Sequence, residues 1–311
     1  MAELPEFCAR FLIYCNRKLT KLTACGYLYE IRHFFVYYAA KVYTDIQALT
    51  IESLSQITVA DVEEWLASHE GKVIQNTIIR KYSTINTFLG YYFKQGCIDK
   101  NVTEQIDMPK IKDKPIKTLS RENVAKLFNA VDTYEQPYPQ YKKGYEKWRL
   151  RDRTILMFFL CTGVRVSELV GLNIKDVNLN NGSYTITRKG GKIETQYLTE
   201  ELHLQLLYYL DSIDTSNENA PLFSSRDNPR IADNTIRDML KKYCEHAGIE
   251  VITPHTLRRT FGTNLYRQIR DIFAVAQVLG HTSVNTTRKH YANIDEDIKR
   301  NAIKGFSLDR L

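Results

Sequence analysis

Between Met108 and Ser120 the chain runs Met-Pro-Lys-Ile-Lys-Asp-Lys-Pro-Ile-Lys-Thr-Leu-Ser, with two prolines, four lysines and no apolar periodicity. Proline removes a backbone donor and clashes with the preceding helical turn, and lysine resists burial. Such a segment continues neither a core helix nor a core strand. It divides 311 residues into two parts, each long enough to hold a core of its own. The break predicts a first domain over 1–109, a basic linker over 110–120 and a second domain over 121–311.

The first part is patterned for helix throughout. Phe7, Phe11, Leu12, Tyr14 and Cys15 form one apolar face, and Tyr27, Ile31, Phe34, Phe35 and Tyr38 form a second within Thr23 to Ala40. Asp61 has the chemistry of an N-cap, which predicts a third helix starting there and running through Trp65 and Leu66. Ile79, Ile85, Phe88, Leu89 and Tyr92 recur at helical spacing between Asn76 and Phe93. No strand signal interrupts this half.

The second part mixes two periods. Ser120 caps a helix through Val124, Leu127 and Phe128. The segment 134–147, with two prolines and four tyrosines, predicts an exposed irregular loop. Ile155–Leu160 is the core of a buried helix ending at Thr162-Gly163, and a short helix follows through Leu169. Ser183–Thr187 alternates with β-branched residues, Lys189-Gly190-Gly191-Lys192 forms a turn, and Glu194–Leu198 returns, which makes a hairpin. Helices are expected near 201–213, 233–247, 255–268, 271–279, 284–291 and 295–304.

Composition removes several function classes. The longest apolar run, Ile155–Leu160, is far short of the ~20 residues that span a bilayer. The start Met1-Ala-Glu-Leu-Pro-Glu6 is acidic and lacks an apolar stretch, so no secretory signal and a cytoplasmic location are expected. Cys8, Cys15, Cys25, Cys97, Cys161 and Cys244 contain no CxxC pair and are expected to be reduced core thiols. Neither they nor the seven histidines show metal-ligand spacing, so neither metal nor cofactor is expected. The formal charge of +7 is uneven: the first part is −1, the linker +3 and the second part +5. A basic connector suits a phosphate backbone, although a solvated lysine-rich linker has the same composition.

Four segments of the second part carry chemistry: Thr162-Gly-Val-Arg165-Val-Ser-Glu168-Leu, Arg188-Lys189-Gly-Gly-Lys192, Thr253-Pro-His255-Thr-Leu-Arg258 and Leu279-Gly-His281 with His290-Tyr291. Singly each is commonplace. In this order, over nearly the whole chain, they resemble the tyrosine recombinase (phage integrase) family, and most closely its Xer-type members and mobile-element integrases. The resemblance implies a mainly α fold. Its parts would be an all-helical, SAM-like core-binding domain and an α+β catalytic domain with a small β-hairpin or sheet.

It also implies roles. Arg165 and Arg258 would clamp the scissile phosphate, because a guanidinium is permanently charged and binds two phosphate oxygens at once. Tyr291 would be the nucleophile. A phenol with a pKa of about 10 needs a nearby base and cationic surroundings. His255 fits the base, and His281 would hydrogen-bond the phosphate. Lys189 would protonate the leaving 5′-hydroxyl, with Lys192 as its competitor. Glu168 would either buttress Arg165 or be a surface carboxylate. The product would be a 3′-phosphotyrosyl link, rejoined without ATP or metal.

The implied partner is a double-stranded DNA recombination site. Candidate DNA contacts are Lys18 and Lys21, Arg80 and Lys81, and the linker lysines Lys110, Lys112, Lys114 and Lys117. Ile298, Ala302, Ile303, Phe306 and Leu308 form an apolar series. By resemblance, this C-terminal helix is exchanged between protomers of a homo-tetramer on DNA. The need for a partner recombinase or directionality factor stays open, as does chromosome resolution against mobile-element integration. Two rival readings keep part of the pattern: a type IB topoisomerase-like relaxing enzyme and a catalytically silent DNA-binding accessory protein.

Overall fold

The computed structural model describes residues 4–109, 117–135, 144–188, 190–226 and 229–280. The chain forms two compact units, Met1–Lys114 and Pro115–Leu311.

The first unit carries helices α1 (Cys8–Lys18), α2 (Lys21–Lys41), α3 (Ile51–Gln56), α4 (Val59–Ala67) and α5 (Gln75–Lys94), with short 3-10 turns at Ile46–Ala48 and Val102–Gln105. Its core is aromatic. The Phe11 and Phe35 rings meet Phe88 edge-on at 5.0 and 5.5 Å, and Phe34 meets Trp65 at 5.3 Å. Edge-to-face contact places the positive ring edge on the negative face of its neighbour. The Tyr92 hydroxyl donates to the Phe7 carbonyl at 2.5 Å, which ties α5 to the entry of α1. Burial pushes the Cys8 thiol up to about 12 and the Cys15 thiol up to about 11, so both stay protonated. Cys25 corrects the expectation for the cysteines, since it is exposed on α2.

Two boundaries differ from the sequence reading. Helix α2 starts at Lys21, because the Thr20 hydroxyl accepts from the Thr23 amide and caps it. The cap of α4 is Thr58, not Asp61. Asp61 sits three residues in and accepts from the Thr58 amide at 2.8 Å, while the Thr58 hydroxyl accepts from the Asp61 amide at 3.2 Å. This reciprocal pair satisfies two of the amides that a helix start leaves open.

The second unit is built around α7 (Tyr145–Thr162), which packs against α6 (Arg121–Thr133), α9 (Glu200–Asp211) and α11 (Pro254–Ile269). Helices α8 (Val166–Gly171), α10 (Asp233–His246) and α12 (Ile272–Leu279) complete its helical part. Ile155, Phe158 and Phe159 lie in one buried cluster with Leu127, Leu169, Leu206, Phe223, Leu240 and Leu257. No described helix is long and apolar enough to cross a membrane.

The helix α7 begins ten residues before the apolar run that signals it, so residues 145–147 belong to a helix and not to the expected loop. The Tyr134 and Tyr145 rings lie 4.9 and 5.6 Å from the Lys242 ammonium, which holds the two ends of that loop on α10. Residues 136–143 are outside the described set.

The sheet has three antiparallel strands in the order β1 (Val177–Asn178), β2 (Ser183–Thr187), β3 (Ile193–Tyr197). The hairpin appears as the sequence predicts; β1 is additional. Ile186 faces Glu194 across the ladder, and the Arg188 amide donates to the Lys192 carbonyl at 2.8 Å to close the turn. Gly190 and Gly191 take φ of +90° and +82°, open to glycine at no steric cost. Tyr184 and Ile186 point inward while the neighbours of β2 are less buried, as period-two alternation requires.

The aromatic core of the first unit yields one prediction. Phe88→Ala removes a ring that packs against Phe7, Phe11, Phe35 and Tyr92 and is expected to lower the unfolding free energy by about 3–5 kcal/mol. Urea titration of the full chain checks it, by a fall in the midpoint of the transition that includes the first unit.

Candidate active site

The site begins where α7 stops. Gly163 takes φ +62°, and a Cβ there would lie 2.3 Å from the Phe261 ring and 2.9 Å from the Leu279 side chain. Only glycine therefore lets the chain turn this close to α11 and α12. The turn places Arg165 at the cap of α8 and Glu168 in its first turn.

Glu168 is buried and holds three arginines. Its Oε2 accepts from the Arg165 amide at 2.8 Å, and its Oε1 from Arg165 Nη1 at 2.7 Å. Oε2 also accepts from Arg188 Nη1 at 3.1 Å, and Arg258 Nη1 lies 4.0 Å away. Burial raises the Glu168 carboxyl pKa, but the Arg165 amide and guanidinium and the Arg188 charge outweigh it. The net result is a pKa below the ordinary glutamate value, so the group is ionised.

The same guanidiniums grip the end of α12. Arg165 Nη2 donates to the Gly280 carbonyl at 3.0 Å, Arg258 Nη2 to Leu279 at 2.5 Å, and Arg188 Nη2 to Val278 at 2.9 Å. The last carbonyls of a helix lack intrahelical partners and carry its negative dipole end, so they suit cations. Arg258 also donates to the Gly163 carbonyl at 2.7 Å, linking α11 to the end of α7. Gly280 takes φ +62°, and a Cβ on it would fall 2.7 Å from the Arg188 guanidinium. The chain thus leaves α12 through a glycine that arginine packing requires.

The arginines differ in exposure. Arg258 and Arg188 are buried, whereas the Arg165 side chain is 34% exposed and has donors to offer to solvent or ligand. His255 stands exposed in the first turn of α11, after the Thr253 cap and Pro254. The structure therefore brings Arg165, Glu168 and Arg258 together and puts His255 on the helix that carries Arg258. Lys189, His281 and Tyr291 lie outside the described residues.

Sequence reasoning did not single out Arg188 as a site residue. The signal was present: 188 is in phase with Tyr184 and Ile186, the inward positions of β2, so alternation directs this arginine into the interior. An arginine forced inward needs anions or carbonyls around it.

The DNA-contact candidates separate. Lys18 and Lys21 are exposed, Lys18 with its ammonium 4.8 Å from the Tyr14 ring. Arg80 is exposed and donates to Glu30 Oε1 at 2.5 Å. Lys81 is a correction: it is 5% exposed, its ammonium meets buried Glu30 at 2.6 Å and lies 5.2 Å from the Trp65 ring. Its charge is spent inside the first unit, because a buried carboxylate there needs a counter-charge. Lys117 pairs with Glu250 at the surface. Lys110, Lys112 and Lys114 lie outside the described residues. Among the described residues no group of histidine, cysteine or carboxylate side chains is placed to hold a metal.

Residues 117–297 match the phage integrase family. The chain belongs to that family, the tyrosine recombinases. Tyrosine recombinase XerC of Pelobacter propionicus is 29% identical over 291 residues, covering 93% of this chain and 90% of that protein. Tyrosine recombinase XerC of Thermodesulfovibrio yellowstonii is 32% identical over 229 residues, covering 71% of this chain and 72% of that one. Among solved structures, the XerH site-specific recombinase bound to palindromic difH substrate in a post-cleavage complex superposes with a TM-score of 0.70. It is 22% identical and covers 92% of this chain and 80% of that chain. That likeness carries the fold: a mainly helical recombinase with a small sheet.

Removing the charge of Glu168 tests the cluster. Glu168→Gln leaves three guanidiniums facing one another and is expected to cost on the order of 3 kcal/mol of stability. Because the folded pKa of Glu168 lies below its unfolded value of about 4.3, the advantage of the wild type is complete above that pH. It is lost as pH falls through the folded pKa. Urea unfolding of both proteins at pH 7 and at successively lower pH reads the gap and its closure.

Proposed function

We propose that this tyrosine recombinase cuts and rejoins duplex DNA at specific sites through Tyr291, exchanging strands by way of a Holliday junction. The observation that supports this most is the shared anchoring of Arg165 and Arg258 on the end of α12, directly before His281, around one ionised carboxylate. Three guanidinium charges face the carboxylates of Glu168 and Glu194, which leaves an excess of positive charge for an anion. Charge that grows on phosphate oxygens in the transition state is what such a cluster stabilises.

The step balances without an external reactant. The Tyr291 oxygen bonds to phosphorus as the bond from phosphorus to the 5′ oxygen breaks. His255 accepts the phenolic proton, Lys189 gives one to the leaving 5′ oxygen, and His281 hydrogen-bonds the phosphate. The product is a 3′-phosphotyrosyl ester, and attack by a 5′ hydroxyl reverses the step. No ATP, metal or other cofactor enters.

The partner is a duplex recombination site, in keeping with the XerH relative bound to its difH substrate. Lys18, Lys21 and Arg80 in the first unit, the core-binding part, contact phosphates, as do Lys117 and the linker lysines. The second unit is the catalytic part. A homo-tetramer with exchanged C-terminal helices, acting in the cytoplasm, completes the reading. The Xer likeness favours recombination over topoisomerase-like relaxation and over a silent accessory role.

The test mixes the purified protein with fragmented source DNA without metal and counts SDS-resistant protein–DNA adducts. Tyr291→Phe is expected to form none while binding DNA as the wild type does; adducts that persist in it would place the nucleophile elsewhere. Arg165→Ala is expected to slow adduct formation by a factor of about 100–1,000, the loss of one preorganised transition-state donor. Single-turnover kinetics on the recovered site measure it.

A further inference from the structure

Arg188 lies outside the residues given a catalytic role above, yet all three nitrogens of its guanidinium are hydrogen-bonded. Its Nε donates to Glu194 at 2.9 Å, Nη1 to Glu168 at 3.1 Å and to the Leu279 carbonyl at 3.4 Å, and Nη2 to the Val278 carbonyl at 2.9 Å. Four of the five N–H donors of a guanidinium are thereby engaged, and the residue is only 7% exposed. Arg165, a third exposed, is built differently. Arg188 is therefore not a phosphate ligand.

Its contacts join three separate pieces. One is the hairpin, through the backbone of β2 and through Glu194 on β3. The second is the carboxylate that orients Arg165. The third is the end of α12, to which Arg165 and Arg258 are also tied. The turn between Arg188 and Lys192 is closed on Arg188 itself, whose amide donates to the Lys192 carbonyl at 2.8 Å and whose carbonyl accepts from the Gly191 amide at 3.0 Å. Two glycines with positive φ make up the middle of that turn. A glycine-rich turn takes its direction from its base, and the Arg188 guanidinium ties that base to Glu168 and the end of α12. The bare Gly280 leaves the space this guanidinium occupies.

We propose that Arg188 is a positioning residue for protonation of the leaving group: it locks the hairpin turn that contains Lys189 to the arginine pair that holds the phosphate. The inference rests on the reading above, in which Lys189 gives the proton and Arg165 and Arg258 hold the phosphate. A loosened Arg188 would leave phosphate binding in place and misplace the proton donor.

The chemistry of the leaving group separates these effects. An alkoxide needs a proton to depart, whereas a thiolate is a far weaker base and leaves without one. The full-length protein is given two duplexes carrying the sequence at which the wild type forms adducts. One is natural and the other has sulfur in place of the bridging 5′ oxygen at the cut. Arg188→Gln is expected to slow adduct formation on the natural duplex by ~100-fold, the lower end of what general acid catalysis contributes. On the sulfur duplex it is expected to approach the wild-type rate, with DNA affinity unchanged.

Arg165→Ala, which weakens the phosphate clamp, is expected to slow both duplexes. Glu194→Gln removes only the hairpin side of the lock, so it keeps the test informative if Arg188→Gln does not fold; the same selective loss, smaller in size, is expected. Equal slowing on both duplexes, or no slowing on either, overturns the role of Arg188. A wild type that traps no DNA sequence as an adduct, so that no such duplex can be made, overturns the recombinase reading instead.

Discussion

One buried carboxylate organises the second unit. Without Glu168, Arg165, Arg188 and Arg258 would be three like charges converging in a space with little water. Interactions between charges strengthen as the local dielectric falls, so the repulsion would be severe there, and so is the attraction that replaces it. The carboxylate also takes the Arg165 amide, so the start of α8 and the charge cluster are a single construction. Helix α8, strand β2, helix α11 and the end of α12 are all held in relation to it.

The two glycines beside the cluster follow from the same constraint. Gly163 ends α7 where Phe261 and Leu279 come too close for any side chain, and Gly280 ends α12 where the Arg188 guanidinium fills the place of a Cβ. Both have positive φ, so each serves conformation and space at once. The first unit uses similar electrostatics to a different end. Glu30 is buried there and is met by Lys81 from within and Arg80 from outside. The inner lysine balances the carboxylate and packs on Trp65, and the outer arginine keeps its head in solvent.

Much of the fold was legible in the periodicity. The hairpin, the aromatic helices of the first unit and the helices α9 to α12 lie within a residue or two of where pattern and capping chemistry put them. The departures have local causes. Thr58 outcompetes Asp61 for the cap because a hydroxyl and a carboxylate three residues apart satisfy two amides together. Tyr145 begins α7 despite a loop-like sequence, because its ring packs beside Lys242, and its hydroxyl lies 3.3 Å from that of Tyr243. Lys81 and Cys25 show the limit of residue type as a guide to exposure: one is a buried lysine, the other an exposed cysteine. In each case the partner lies tens of residues away or the exposed face depends on how the helices pack.

The sequence by itself determined the family, the division into two parts and the helical character, and it nominated the residues proposed to carry the chemistry. Those properties reside in local pattern, in composition and in the order of short motifs along the chain. What only the tertiary structure decided is which charges neutralise which. That Arg165, Arg188 and Arg258 share one carboxylate and one helix end depends on residues up to 115 positions apart meeting in space. Linear spacing carries no record of such a meeting, because the energy that selects it exists only once packing has excluded water from around the charges.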